Sequence, residues 1–494
     1  MKGSSLVLSS TLLSCANALQ LHKRHNPSVV SVNFEKRTKH VLPSHEKRDS
    51  DAIVEMNVDR QGSSHLYWAN FTIGNPPQKL SAEIDTGSAD LLVLTNKVET
   101  CKEQDCQGGI FNPEKSDTFE WGDEQVSNSF GSGQSWKGNY ANDTFTLGSI
   151  TLDSFQFVGV TEYNATNSNI ISVFGVGIDS LENAHTKYPN LPYALANAGE
   201  INTPAFSLWL NNETHGEFLF GGVNKAKYTG PLVTYPVAGD NTFDLRDRAL
   251  VVLTGFGTTS DGKTSELDFK ARPVLLDSGT VQSRLSLNMT MHLIKTMKVS
   301  LDEHLGAVAP CNTSSKETLD FMFGDLTLNI PLANFLAKTP VKSGVDGVEY
   351  CKIVYYEDST SIILADDFLR GAYVVYDWGN MEISLAQYNS EEAEDDIHEI
   401  VRDVPGASFA TGVPTIYLKF DQPAETEGTE IPTGLPTVAA TPLSTVTGSG
   451  TGSAAASSTA AGDDEDNGAA GSLPGNLICI MMLAFIFNIV LLAQ

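Results

Sequence analysis

The sequence predicts a mainly β fold of two lobes related by internal duplication. Two observations carry that prediction. Asp85-Thr86-Gly87-Ser88 and Asp277-Ser278-Gly279-Thr280 each place one carboxylate at a Gly-containing turn, behind the mostly apolar stretches Ser81-Ala82-Glu83-Ile84 and Pro273-Val274-Leu275-Leu276. Aromatic and β-branched runs also recur at short intervals, broken by Gly, Asn and Pro, as many short strands would be.

A single Asp-Thr/Ser-Gly reads as an ordinary Asx-type turn. Its repeated context changes the reading. Ala89-Asp90-Leu91-Leu92-Val93-Leu94 follows the first turn, and ninety positions beyond Asp85 lies Val173-Phe174-Gly175-Val176-Gly177. Val281-Gln282-Ser283-Arg284-Leu285 follows the second, and eighty-eight positions beyond Asp277 lies Ile362-Ile363-Leu364-Ala365. The same order at nearly the same spacing implies a duplicated unit, with the two carboxylates meeting near a pseudo-two-fold axis.

The elements follow in order. Thr144-Phe145-Thr146-Leu147 and Ser207-Leu208-Trp209-Leu210 alternate polar and apolar, as half-buried strands do. Helical patterns are few, Leu191 to Ala198 and Ser286 to Val299 being the best. The lobes are expected over 49–235 and 236–390, each large enough to bury a core of its own.

The ends read as processing signals. Residues 1–18 carry one Lys, an apolar stretch and Ala16-Asn17-Ala18, the pattern of a secretory signal. Residues 19–48 are basic, with dibasic pairs at Lys23-Arg24, Lys36-Arg37 and Lys47-Arg48. They are expected to be a pro-segment cut after Arg48. Residues 391–422 form an acidic tail, and 423–467 a Ser/Thr-rich stalk whose composition cannot bury enough surface to fold. Small residues, a spacer and an apolar run over 468–494 match a signal for a glycosylphosphatidylinositol anchor, with Asn467 the expected attachment site. A membrane-embedded tail is the alternative, weakened by Asn488 within the run.

Net charge is −28 at pH 7, and residues 1–48 hold eight basic side chains against two acidic ones, so the remainder stands at −34. That balance argues against nucleic acid as a partner and suits an acidic working environment. A basic pro-segment lying over an acidic body, and leaving as its acids protonate, is a further expectation. No His-Glu-x-x-His and no credible Gly-x-Ser-x-Gly occurs, so zinc and serine mechanisms lack their residues.

Like charges about 3 Å apart cannot both ionise, so two such Asp side chains would hold one proton between them. With the paired turns, Tyr67-Trp68-Ala69-Asn70-Phe71-Thr72-Ile73-Gly74-Asn75-Pro76-Pro77-Gln78, Phe220-Gly221-Gly222-Val223 and the Asp366 to Asp377 stretch, the chain resembles the pepsin-like aspartic proteases from about Ser63 to Gln387. The resemblance implies a bilobal fold with a cleft between lobes, peptide or protein substrates, no cofactor, no metal and a monomer. It makes Asp85 and Asp277 the catalytic dyad. Ser88 and Thr280 would donate to the outer carboxylate oxygens, Thr86 and Ser278 would cross-link the turns, and Gly87 and Gly279 would permit them. Gly175 would admit a strand close beneath the first turn.

The flap should carry Tyr-Gly-x-Gly; this chain has Phe130-Gly131-Ser132-Gly133, and Leu92 replaces the flap Tyr's usual Trp partner. Ala365 stands where Gly is usual, and its extra methyl would strain that crossing by about 1 kcal/mol. These departures leave open a catalytically weak or inactive surface binding protein as the alternative function.

Of six Cys, Cys15 and Cys479 fall in the terminal signals. The other four allow three connectivities. Cys101 and Cys106 suit a local bridge, leaving Cys311 with Cys351, a pairing the resemblance supports; its closure is worth roughly 4 kcal/mol. Sequons at Asn142, Asn164, Asn212, Asn288 and Asn312 are expected to be glycosylated, whereas Asn70 sits on an expected strand near the site. Signal, dibasic pro-segment, stalk and anchor signal together look like the fungal yapsin-type surface proteases, which favour cleavage beside Lys or Arg. No acid in the sequence declares itself as the reader of such a side chain.

Overall fold

In a computed structural model of the chain, the described residues are 28–38 and 65–413, apart from short internal stretches at 104–105, 131–132, 165–169, 211–214, 239–247, 303–305, 338–340, 343–347, 354–355, 358–361 and 412. The signal, the stalk, the anchor signal with Asn467, the Arg48 cut and Asn212 lie outside them.

The expected duplication is visible in how strands pair. In the first lobe, Gln78–Asp85 runs parallel to Val173–Gly175, with Gly175 opposite Asp85, and Val173–Gly175 runs antiparallel to Leu91–Leu94. In the second, Arg272–Leu276 runs parallel to Ile362–Leu364, which pairs antiparallel with Arg284–Leu285. Each Asp-bearing turn is thus the link between an incoming strand and one that returns on the far side of the same partner. The turn is held from both flanks.

The first-lobe sheet is extended by strands from both halves of the chain. Tyr228–Pro236, Glu382–Tyr388, Ala372–Asp377, Ala205–Leu210 and His215–Phe220 lie side by side in one sheet. Phe206 stacks on Tyr376 across it, with ring centroids 4.9 Å apart. The sheet continues into Val30–Thr38, which pairs with His215–Phe220 on one side and His65–Ile73 on the other. Phe34 is buried there, edge-on to Tyr67 at 4.6 Å.

The folded body therefore extends past the Ser63–Gln387 stretch at both ends. Val30–Thr38 lies within the stretch expected to be pro-segment, and its alternating Val30, Val32 and Phe34 point into the core. At the other end Ile397–Glu399 pairs with Gly222–Asn224 and Ala407–Phe409 with Tyr228–Pro236. Ile400 and Val404 are buried beneath these strands, so the first part of the acidic tail belongs to the body.

The two expected helices form. Ser286 caps Leu287–Thr296 by accepting from the Met289 N–H, and Met289, Leu293 and Ile294 bury one face, the 3.6-residue period the sequence displays. Leu191–Asn197 is the shorter one, with Pro192 in its first turn. Cys101 bonds to Cys106 and Cys311 to Cys351.

Candidate active site

Asp85 is the last residue of its strand, and Asp277 follows the last residue of the corresponding strand in the second lobe. In Gln78–Asp85 the even residues Leu80, Ala82 and Ile84 are buried in the main core. Alternation then sends Asp85 to the opposite face.

Each carboxylate is held in the same way. Asp85 Oδ1 accepts from the Gly87 N–H at 2.8 Å and Oδ2 accepts from Ser88 Oγ. Asp277 Oδ1 accepts from the Gly279 N–H at 2.9 Å, and Oδ2 from Thr280 Oγ1 at 2.6 Å. Both aspartates are 8 % exposed. They face one another across the turns. A Cβ placed on Gly87 would lie 2.9 Å from Asp277 Oδ1, and one placed on Gly279 would collide with Asp85 Oδ1. Glycine is required at both positions because the opposite carboxylate occupies the space a side chain would fill.

Beneath them Thr86 and Ser278 lock the turns together. Thr86 Oγ1 donates to the Leu276 carbonyl at 3.0 Å and accepts from the Ser278 N–H at 3.0 Å. Ser278 Oγ donates to the Ile84 carbonyl at 2.9 Å and accepts from the Thr86 N–H at 3.1 Å.

Burial pushes the Asp85 carboxyl up from the ordinary range, the Asp277 charge pushes it further, and the bonds from Ser88 and Gly87 pull against both. Near neutral pH such a pair keeps a proton that isolated carboxylates would have lost. One oxygen can then take a proton from water while its neighbour gives one up.

At the crossing beneath the first turn, a Cβ on Gly175 would lie 2.5 Å from the Ala89 carbonyl carbon and 2.7 Å from the Ala89 nitrogen. Ala365 occupies the matching place in the second lobe and is fully buried. The two crossings differ in their bonds. Gly175 N–H donates to the Asp90 carbonyl, whereas Ala365 N–H donates to Ser283 Oγ at 2.9 Å. The second crossing is therefore held by a side-chain hydroxyl where the first is held backbone to backbone.

In the hairpin expected to be the flap, between the strands Glu120–Ser129 and Ser135–Leu147, Phe130 N–H donates to the Gln134 carbonyl at 2.8 Å and Gly133 has φ 82°. Gly131 and Ser132 lie outside the described residues. Phe130 packs against an apolar cluster that also holds Leu92, so both departures from the expected pair add apolar surface to one cluster.

The chain matches the model for eukaryotic aspartyl protease over residues 66–388, which include both turns and the flap. The chain belongs to that family. This aspartyl protease is 33 % identical to a probable aspartic-type endopeptidase OPSB of Arthroderma benhamiae, over 87 % of this chain and 91 % of the relative. It is 32 % identical to aspartic proteinase yapsin-3 of Saccharomyces cerevisiae, over 69 % of this chain and 70 % of that one. Secreted aspartic protease 5 of Candida albicans is also 32 % identical, over 69 % of this chain and 81 % of its own. The protein is an aspartic-type endopeptidase, a hydrolase acting on peptides or proteins.

One residue of this aspartyl protease escaped the sequence reading. Glu83 stands two positions before Asp85 and is 6 % exposed, although the stretch around it reads as apolar. Period-two alternation from Asp85 is the signal that could have found it.

Proposed function

We propose that Asp85 and Asp277 form the catalytic dyad of a secreted endopeptidase that works at acidic pH and cuts beside basic residues. The carrying observation is the mutual approach of the two turns, each glycine lying against the opposite carboxylate. The ionised member of the pair takes a proton from a water held between them. The protonated member donates to the scissile carbonyl, and water attacks directly without an acyl-enzyme. Ser88 and Thr280, with the Gly87 and Gly279 N–H groups, stabilise the ionised form. Thr86 and Ser278 fix the separation on which proton sharing depends. Phe130 closes over the substrate with its ring.

The preference for Lys or Arg has the support of the yapsin resemblance and the acidic charge. Export has the support of the disulfides, the 1–18 signal pattern and the relative named as secreted. A cell-surface location through an anchor at Asn467 rests on the sequence pattern of 423–494. Removal of 19–48 after Arg48 would take out the sheet strand Val30–Thr38. Asn164, Asn288 and Asn312 are exposed and suit glycosylation, while Asn142 is half-buried within Ser135–Leu147.

Digestion of a peptide mixture at acidic pH, with and without pepstatin, tests the reading. Pepstatin-sensitive cuts beside Lys and Arg are expected. Absence of cleavage, or cleavage indifferent to pepstatin, overturns it.

A further inference from the structure

A second carboxylate shares the face of Asp85. Because Leu80, Ala82 and Ile84 enter the core, alternation puts Glu83 on the cleft side, about 7 Å from Asp85 along the strand. Its partners in register are Trp68 on His65–Ile73 and Val173 on Val173–Gly175. Both belong to the apolar cluster beneath the flap. Phe130 from the expected flap and Val281 from just beyond the second turn pack on that same cluster, which therefore reaches from the flap hairpin towards the dyad. Tyr163 belongs to it too, donating to Gln134 Oε1 at 2.8 Å, and burial together with the Glu83 charge holds its phenol well above the ordinary range.

We propose that Glu83 is the specificity-determining carboxylate of this protease, the group that receives a Lys or Arg side chain flanking the scissile bond. This rests on the endopeptidase reading above and names the residue behind its basic preference. A Lys stem is apolar and fits against Trp68, Val173 and Phe130, while its ammonium reaches the carboxylate at the end. The surroundings exclude water, which strengthens attraction to a cation relative to the same pair at the surface. A neutral side chain of equal length fills the same space and forgoes the ion pair. Discrimination between the two of about 100-fold is expected.

The test uses peptides that differ only by Lys or norleucine, placed in turn on each side of the scissile bond. Wild-type enzyme should favour Lys about 100-fold in kcat/KM at one of the two positions. Glu83→Gln should lower that ratio at least tenfold, and Glu83→Asp should retain most of it. If Glu83→Gln does not fold, a crystal structure of the wild type with a Lys-bearing peptide inhibitor decides. The ammonium should lie in contact with the Glu83 carboxylate, and any other seat overturns the assignment. A wild type that cleaves neither peptide sinks the endopeptidase reading itself. Equal cleavage of both, or a full Lys preference retained in Glu83→Gln, overturns the role of Glu83 alone.

Discussion

Thr86 and Ser278 each satisfy the other's backbone: each hydroxyl accepts from the partner's N–H and donates to the carbonyl two residues before it, at 2.9 to 3.1 Å. Both residues are buried, so every broken bond leaves a polar group without water. Thr86→Val removes one hydroxyl, strands the Ser278 N–H and leaves the Leu276 carbonyl only the longer bond from the Tyr376 hydroxyl at 3.5 Å. It should cost about 1–3 kcal/mol in urea unfolding. Activity should fall by more than the folded fraction does, because the turns lose their fixed separation. Thr86→Ser, which keeps the hydroxyl, should restore most of both.

The two crossings beneath the turns should respond oppositely to one methyl group. Gly175→Ala drives a Cβ into the Ala89 backbone, which carries the turn of Asp85. It should destabilise by at least about 1–3 kcal/mol and reduce kcat/KM sharply. Ala365→Gly should cost only about 0.5–1 kcal/mol, with kcat/KM nearly unchanged. Paired thermal melts and peptide kinetics check both.

Stability should rise as the solution is acidified. Burial raises Glu182 to about 8 and Asp367 to about 6, against 4.5 and 3.8 for the unfolded groups. In that interval the folded chain binds more protons than the unfolded one, so its stability falls as pH increases. The contribution is complete below pH 4 and is lost as pH passes through 6 and then 8. The melting temperature should therefore be higher at pH 4.5 than at pH 7.5, and Glu182→Gln should flatten the upper part of the curve. A melting temperature that climbs towards neutrality contradicts this.

Phe130 and Leu92 pack on the same cluster, so their effects should couple. Phe130→Tyr alone adds a hydroxyl with no new partner at Leu92, and Leu92→Trp alone adds an indole N–H to a buried place. Each should lower kcat/KM. Together they can bond one another, and a double-mutant cycle should return a coupling of about 0.5–3 kcal/mol.

The two turns, the helix Leu287–Thr296 and the strands around Thr144 and Ser207 were legible because local spacing decides them. Tertiary pairing decides the rest. Val30 to Phe34 alternates as a strand does, but only His215–Phe220 shows which sheet it joins. The acidic tail hid Ile400 and Val404 among charged neighbours, and only the pairing of Ile397–Glu399 with Gly222–Asn224 reveals where they go. The bond from the Ala365 N–H to Ser283 Oγ, eighty-two positions earlier, is likewise beyond local spacing. Glu83 was concealed by averaging over an apolar run when single-residue alternation was the informative scale.

The most direct test is kinetic. Wild-type enzyme, Asp85→Asn and Asp277→Asn, each shown to be folded, are compared on one peptide at acidic pH. Removing either carboxylate should lower kcat/KM by about 1,000-fold or more, because neither group alone can both accept and donate the proton. A variant that keeps more than about a tenth of wild-type activity would contradict the shared-proton dyad.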